Sequence, residues 1–217
     1  MVQERLFKAL SRQKKADLLG LLESAYEEMD AQQRRNVFGA LLKKRPPQFI
    51  NGKQLLADIQ QFHRDSLNGV YYAPFNMNSK NFLHIPEETS QWFDKLDFLL
   101  KSSAKLSKQN EAVIAIECFK LLYDLVEHLD EIVFAEEIGM WLLPGDEKVY
   151  ITAYLTSLAT TTTPEQFTEA ALPLVWRDSI ESFCNKVYAT AKKIASAEQI
   201  AHLKAEMRHQ KIRTSSR

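Results

Sequence analysis

The chain has 217 residues, 45% hydrophobic and 26% charged, a globular composition long enough to bury a sizeable core without disulfides. Its 28 basic and 28 acidic side chains cancel, so overall charge singles out no class of partner. Six glycines and seven prolines are too few for a sandwich or barrel, which needs a turn every ~8–12 residues, and favour long helices.

Apolar residues recur at three- and four-residue spacing almost throughout, as in Leu18, Leu22, Ala25 and Met29, or Ile116, Phe119, Tyr123 and Val126. In chain order the pattern predicts helices at roughly 3–10, 12–29, 31–44, 53–68, 87–106, 110–132, 146–160, 164–177, 179–194 and 197–211. The first of these, with Glu4, Arg5 and Lys8, reads as a short amphipathic helix rather than a secretory leader. Reciprocal capping pairs fall at helix starts: Asp30 with Gln33, Asn51 with Gln54, Thr163 with Gln166, Asp178 with Glu181, and Ser196 with Gln199. Pro86 and Pro164 suit a first helical turn, whereas Pro173 is expected to kink or end the helix that contains it.

The expected fold is all-α, about ten helices, with antiparallel hairpins stacked as a short αα superhelix or compact bundle. Three regions are expected: an amino-terminal helical region 1–69, an aromatic-rich connecting loop 70–85, and a hairpin region 86–217, with one continuous domain as the alternative. No apolar stretch approaches the ~18 residues of a membrane span. Cys118 and Cys184 sit in apolar helical patterns, which points to reduced, buried thiols and a cytoplasmic protein.

The loop Val70 to Ile85 breaks the periodicity, interleaving Tyr71, Tyr72, Phe75, Met77 and Phe82 with Asn76, Asn78 and Asn81. It serves either as a structural seam or as a ligand or partner surface. Charge is segregated: residues 110–150 hold ten acids against two bases, residues 185–217 eight bases against two acids, and residues 1–50 ten bases against six acids. Such a bipolar field is compatible with self-association or with docking on a charged protein, and leaves the oligomeric state open.

Asp124 with His128, and Glu127 with Glu131, are spaced to share a helix face, and His202, Glu206 and His209 form a similar group. A four-helix di-iron site, which needs Glu-x-x-His on each of two helices and two further Glu, is not matched, and Gly-rich phosphate loops, G-x-S-x-G and H-E-x-x-H are absent. Salt-bridged helix surface is the plainer reading, and no catalytic residue, metal or cofactor is expected.

The stretch Leu6 to Leu22, with NSKNF (Asn78 to Phe82), EIVFAEEIGMW (Glu131 to Trp141) and PGDEKVY (Pro144 to Tyr150), resembles a group of bacterial helical proteins built from paired helices. The resemblance covers most of the chain and implies the fold but no activity. In architecture the hairpins also resemble tetratricopeptide and HEAT-type repeats, with Trp92, Ala112 and Phe119 in residues 92–126 and Leu100 near the place of that family's small residue.

The functional expectation is a non-enzymatic, repeat-like scaffold that binds another protein. Its candidate contact residues are Tyr71, Tyr72, Phe75, Asn78, Asn81, Phe82, Phe134, Glu136, Glu137 and Trp141. A first alternative is an enzyme or small-ligand-binding protein using the aromatic loop with the acidic segment 131–147. A second is a nucleic-acid-associated protein, in which Arg34, Arg35, Lys43, Lys44, Arg45 and the basic tail meet phosphates while Tyr71 and Tyr72 stack on bases.

Overall fold

The computed structural model describes residues 2–30, 33–34, 37–38, 49–76, 78–81, 84–134, 139–180 and 186–212. These residues are all-α, and no helix among them is long and apolar enough to cross a membrane. By contact the chain divides into two units, Met1–Gln48 and Phe49–Arg217. The division falls ahead of residues 53–68, which the sequence reading grouped with the amino-terminal region.

The first unit contains α1 (Val2–Leu10) and α2 (Lys15–Glu28). Arg34 closes the end of α2, its guanidinium donating to the carbonyls of Tyr26 (2.8 Å) and Glu27 (3.1 Å) and lying over the Tyr26 ring. Asp30 and Gln33 form the expected reciprocal cap. The apolar stripe of α2 is present in sequence but buries no residue, and Leu19, Leu22 and Tyr26 are exposed. Most of the expected helix 31–44, including Arg35, Lys43 and Lys44, lies outside the described residues, as does Arg45.

The second unit begins with α3 (Gly52–Leu67), whose first turn is capped by the Asn51 side chain accepting from the Gln54 amide. Then follow α4 (Glu87–Ser107), α5 (Ala112–Glu127), the single turn α6 (Leu129–Ile132), a 3₁₀ turn Met140–Leu142, α7 (Glu147–Thr161), α8 (Pro164–Ile180), α9 (Val187–Ile194) and α10 (Ala197–His209). Short connections reverse the chain between α4 and α5 and between α7 and α8. Alternate helices consequently run side by side in the same direction. Gln109, just ahead of α5, meets Ile50 just ahead of α3, and Asp124 meets His63 near the other end of the same pair. Asp97 meets Tyr150 and Ser107 meets Ser157 along α4 and α7, and His202 meets Thr168 on α10 and α8. The core lies where these helices face one another, with Trp92, Phe93, Phe119, Leu122 and Phe167 removed from solvent.

Two expected helices divide. The predicted helix 110–132 leaves helical geometry at His128, where the imidazole Nδ1–H takes the Asp124 carbonyl (2.8 Å) that a continuing helix would give to the His128 amide. That amide turns instead to Leu125. The predicted helix 179–194 starts only at Val187, because α8 continues through Pro173 to Ile180. Asp178 is thus in the last turn of α8, and its carboxylate accepts from the Val187 amide (3.1 Å) to begin α9.

Candidate functional site

Among the described residues, the aromatic loop meets the acidic segment at Phe134. Phe134 takes Tyr72 and Phe75 edge-to-face, at centroid distances of 5.7 and 5.5 Å, and Phe75 in turn meets His84. Tyr71 points away from this cluster and packs on Phe62 of α3. The asparagines serve the loop itself. Asn81 accepts from the Asn78 amide at 2.7 Å and donates to the Asn76 carbonyl, while Asn78 accepts from the Lys80 amide. Those side chains fold a turn, so the sequence expectation that they orient a partner meets a competing local use. Trp141 is exposed on the 3₁₀ turn, and Phe82, Glu136 and Glu137 lie outside the described residues.

A concavity lies elsewhere. Helices α5 and α8 both rest on α7, and between them runs a trough of two adjoining lobes of about 530 and 570 Å³. The lobes share Tyr123, Glu127, Pro173 and Leu174. Tyr154 and Leu158 of α7 line the floor, with Val113 and Ile116 on one wall and Ala170 and Leu174 on the other.

On α5 the spacing that buries Ile116, Phe119 and Tyr123 places Glu117, Lys120, Asp124 and Glu127 along the neighbouring stripe, where all four line the trough. Glu169 adds a carboxylate from α8, and Asp130 one at the second lobe. Against these five acids stand Lys120 and Arg177. Arg177 is engaged with Glu147 in a largely buried ion pair and lies 5.4 Å above the Tyr123 ring. Asp124 also accepts from His63 Nε2–H at 2.7 Å.

Tyr123 is 5% exposed and stacks with Phe119 and Tyr154, yet its hydroxyl finds no hydrogen-bond partner among the described residues. Burial first, then the nearby Glu147 carboxylate, holds its ionisation well above the usual range, so it stays a neutral phenol. Beside the trough on α8, Pro173 has no N–H to give the Glu169 carbonyl, its helical partner one turn back. The trough therefore offers an aromatic and aliphatic floor, hydrogen-bond acceptors and a negative rim. Chemically it can hold positive charge next to apolar surface.

The spacings read as possible ligand clusters do not converge. Asp124 and His128 are engaged as described, Glu127 and Glu131 are separated by the break at His128, and His202 is bonded to Thr168 Oγ1 at 3.0 Å. Among the described residues no three His, Cys, Asp or Glu side chains are grouped to hold a metal ion. Cys118 is buried, its thiol pushed up to about 11, chiefly by desolvation. Glu117 and Glu169 were not singled out as site residues by the sequence reading, and Tyr123 only as part of an apolar stripe; the three-four-three spacing of 117, 120, 124 and 127 was there to find Glu117, whereas nothing in α8 marks Glu169.

Comparison of the chain with protein-family models, with curated proteins and with solved structures finds no match, so the resemblance drawn above rests on its sequence stretches alone.

Proposed function

We propose that the chain is a non-enzymatic helical module that binds another protein, and that it does so in the trough between α5 and α8. The observation that supports this reading is the trough itself, two adjoining lobes with an apolar floor along one face of α5. Binding sites commonly combine such a floor with a few polar groups. The buried free thiol of Cys118 is in keeping with a reducing compartment, and we place the module in the cytoplasm.

A photo-crosslinking side chain at Val113, which is 63% exposed and lines the trough, tests the reading in an extract of the cells that make the protein. The control is the same side chain at Phe98 of α4, 60% exposed and not among the trough's lining residues. A discrete adduct is expected from Val113 and not from Phe98, and the groove-filling change Ala170→Trp should remove it. Equal crosslinking from both positions, or none from Val113, would overturn the proposal.

The composite surface of the aromatic loop and segment 131–147 is a second reading, favoured by the meeting of Phe134 with Tyr72 and Phe75. On that reading the crosslinking side chain placed at Trp141, which is exposed, gives the adduct, and Tyr72→Ser removes it while Ala170→Trp leaves it intact.

A further inference from the structure

The trough's charge, length and walls narrow what can occupy it. Resting on the reading that it is a protein-binding surface, we infer that its occupant is a cationic amphipathic helix of the partner. The helix sets its apolar stripe on the floor and its Lys and Arg side chains against the carboxylates of α5 and α8.

Three observations carry this inference. From Val113 to Glu127 the α5 wall is roughly 20 Å long at 1.5 Å per residue, about four turns of a helical ligand laid alongside. The walls are helical, and no strand occurs among the described residues, so an extended peptide has no sheet edge to pair with there. A helix brings its backbone groups already paired and needs only side-chain contacts, the groove-binding mode read as apolar anchors at three- and four-residue spacing. The rim then sets the sign of charge: Glu117, Asp124, Glu127 and Glu169 line one lobe and Asp130 the other, while Arg177 is held by Glu147.

The third observation is the floor. Tyr123 lines both lobes and stacks with Phe119 and Tyr154, which gives the trough an aromatic base on which the apolar stripe of a helical ligand can rest. Lys120 interrupts the acidic stripe between Glu117 and Asp124, so the matching turn of the ligand carries a neutral or acidic residue.

The test is fluorescence anisotropy at low salt with a labelled 18-residue amphipathic helix of Leu and Lys, and with a Leu and Glu peptide of identical pattern. The lysine peptide is expected to bind and the glutamate peptide not to bind. Removing three exposed carboxylates with Glu117→Gln, Glu127→Gln and Glu169→Gln should weaken binding by about tenfold, and Lys120→Glu should strengthen it severalfold, since rim charges of this kind tune encounter and register. Ala170→Trp should abolish binding, with circular dichroism confirming a folded protein.

Failure to bind the lysine peptide, indifference to the carboxylate changes, or weakening by Lys120→Glu overturns the inference. Equal binding of the glutamate peptide, lost in Ala170→Trp, leaves the trough a protein-binding surface but rejects a cationic occupant. Binding of the lysine peptide that survives Ala170→Trp places it elsewhere and rejects both readings. Spermine that saturates the trough where the lysine peptide does not also overturns the inference, in favour of a small polyamine.

Discussion

At the scale of single residues, Gly145 shows how closely the start of α7 is fitted. The Tyr150 hydroxyl donates to Asp97 Oδ1 at 2.5 Å, and both oxygens lie 2.1 Å from the position that a Cβ on residue 145 would take. Glycine is required there by space and not by backbone angle. Gly145→Ala must force that buried hydrogen bond apart, at a cost of about 1–3 kcal/mol, the usual penalty for stranding a buried polar group. Urea unfolding measures the cost. Because the clash is with those two oxygens, the same glycine change in an Asp97→Ala, Tyr150→Phe background should cost much less. An equal cost in both backgrounds would show that the hydrogen bond is not what excludes a side chain.

At the scale of elements, helix existence was legible in the sequence and helix ends were legible where a cap was written. Asp30 with Gln33, Thr163 with Gln166 and Ser196 with Gln199 form both reciprocal bonds, and Asn51 caps α3. Asp178 misled because α8 runs on past it to Ile180, so it stands in a last turn and not ahead of a first one; its carboxylate accepts from the Val187 amide, nine residues on, and Glu181, its expected capping partner, lies outside the described residues. The break after Glu127 was illegible because an imidazole competing for a backbone carbonyl leaves no trace in periodicity. In α7, Thr152, Thr156, Thr160 and Thr161, with Thr162 just past its end, each turn their hydroxyl to a carbonyl one turn back, so a threonine-rich segment satisfies its hydroxyls without leaving the helix. For the caps the expectation is quantitative: Ser196→Ala should lower stability by about 1 kcal/mol in thermal or denaturant unfolding. A loss near zero would mean that α10 is held by its docking on α8 alone.

At the scale of the whole molecule, the sequence disclosed an all-α chain with an acidic middle, but not the trough. Which faces of α5 and α8 stay apart depends on how α7 spaces them, and that is a property of tertiary packing that no single helix encodes. The buried ionisable groups of the core make a further expectation. Cys118 is held up to about 11 from an ordinary value of 9.0, so between these values the unfolded chain has lost a proton that the folded chain keeps. With fewer protons on the unfolded state, stability falls as pH rises, by at most about 1.4 kcal/mol per unit for that group. Tyr123, Tyr150 and Tyr154 are raised mainly by burial, and from about pH 10 they act with the same sign. Urea midpoints should thus decline from about pH 9 upward, and Cys118→Ala should delay the onset until the tyrosines take over. A midpoint that stays level beyond about pH 11 would contradict this account.

One side chain ties the start of α10 to the end of α7. Gln199 completes the cap of α10 and, through its amide nitrogen, donates to the carbonyls of Ala159 and Thr162 where α7 runs out. Thr161 and Thr162 border the trough. The carboxyl-terminal helix is therefore a buttress for a surface that it does not itself line. A chain truncated before Ser196 would keep every residue of the trough yet lose the donor that pins its far corner, so its grip on a ligand should slacken from that end first.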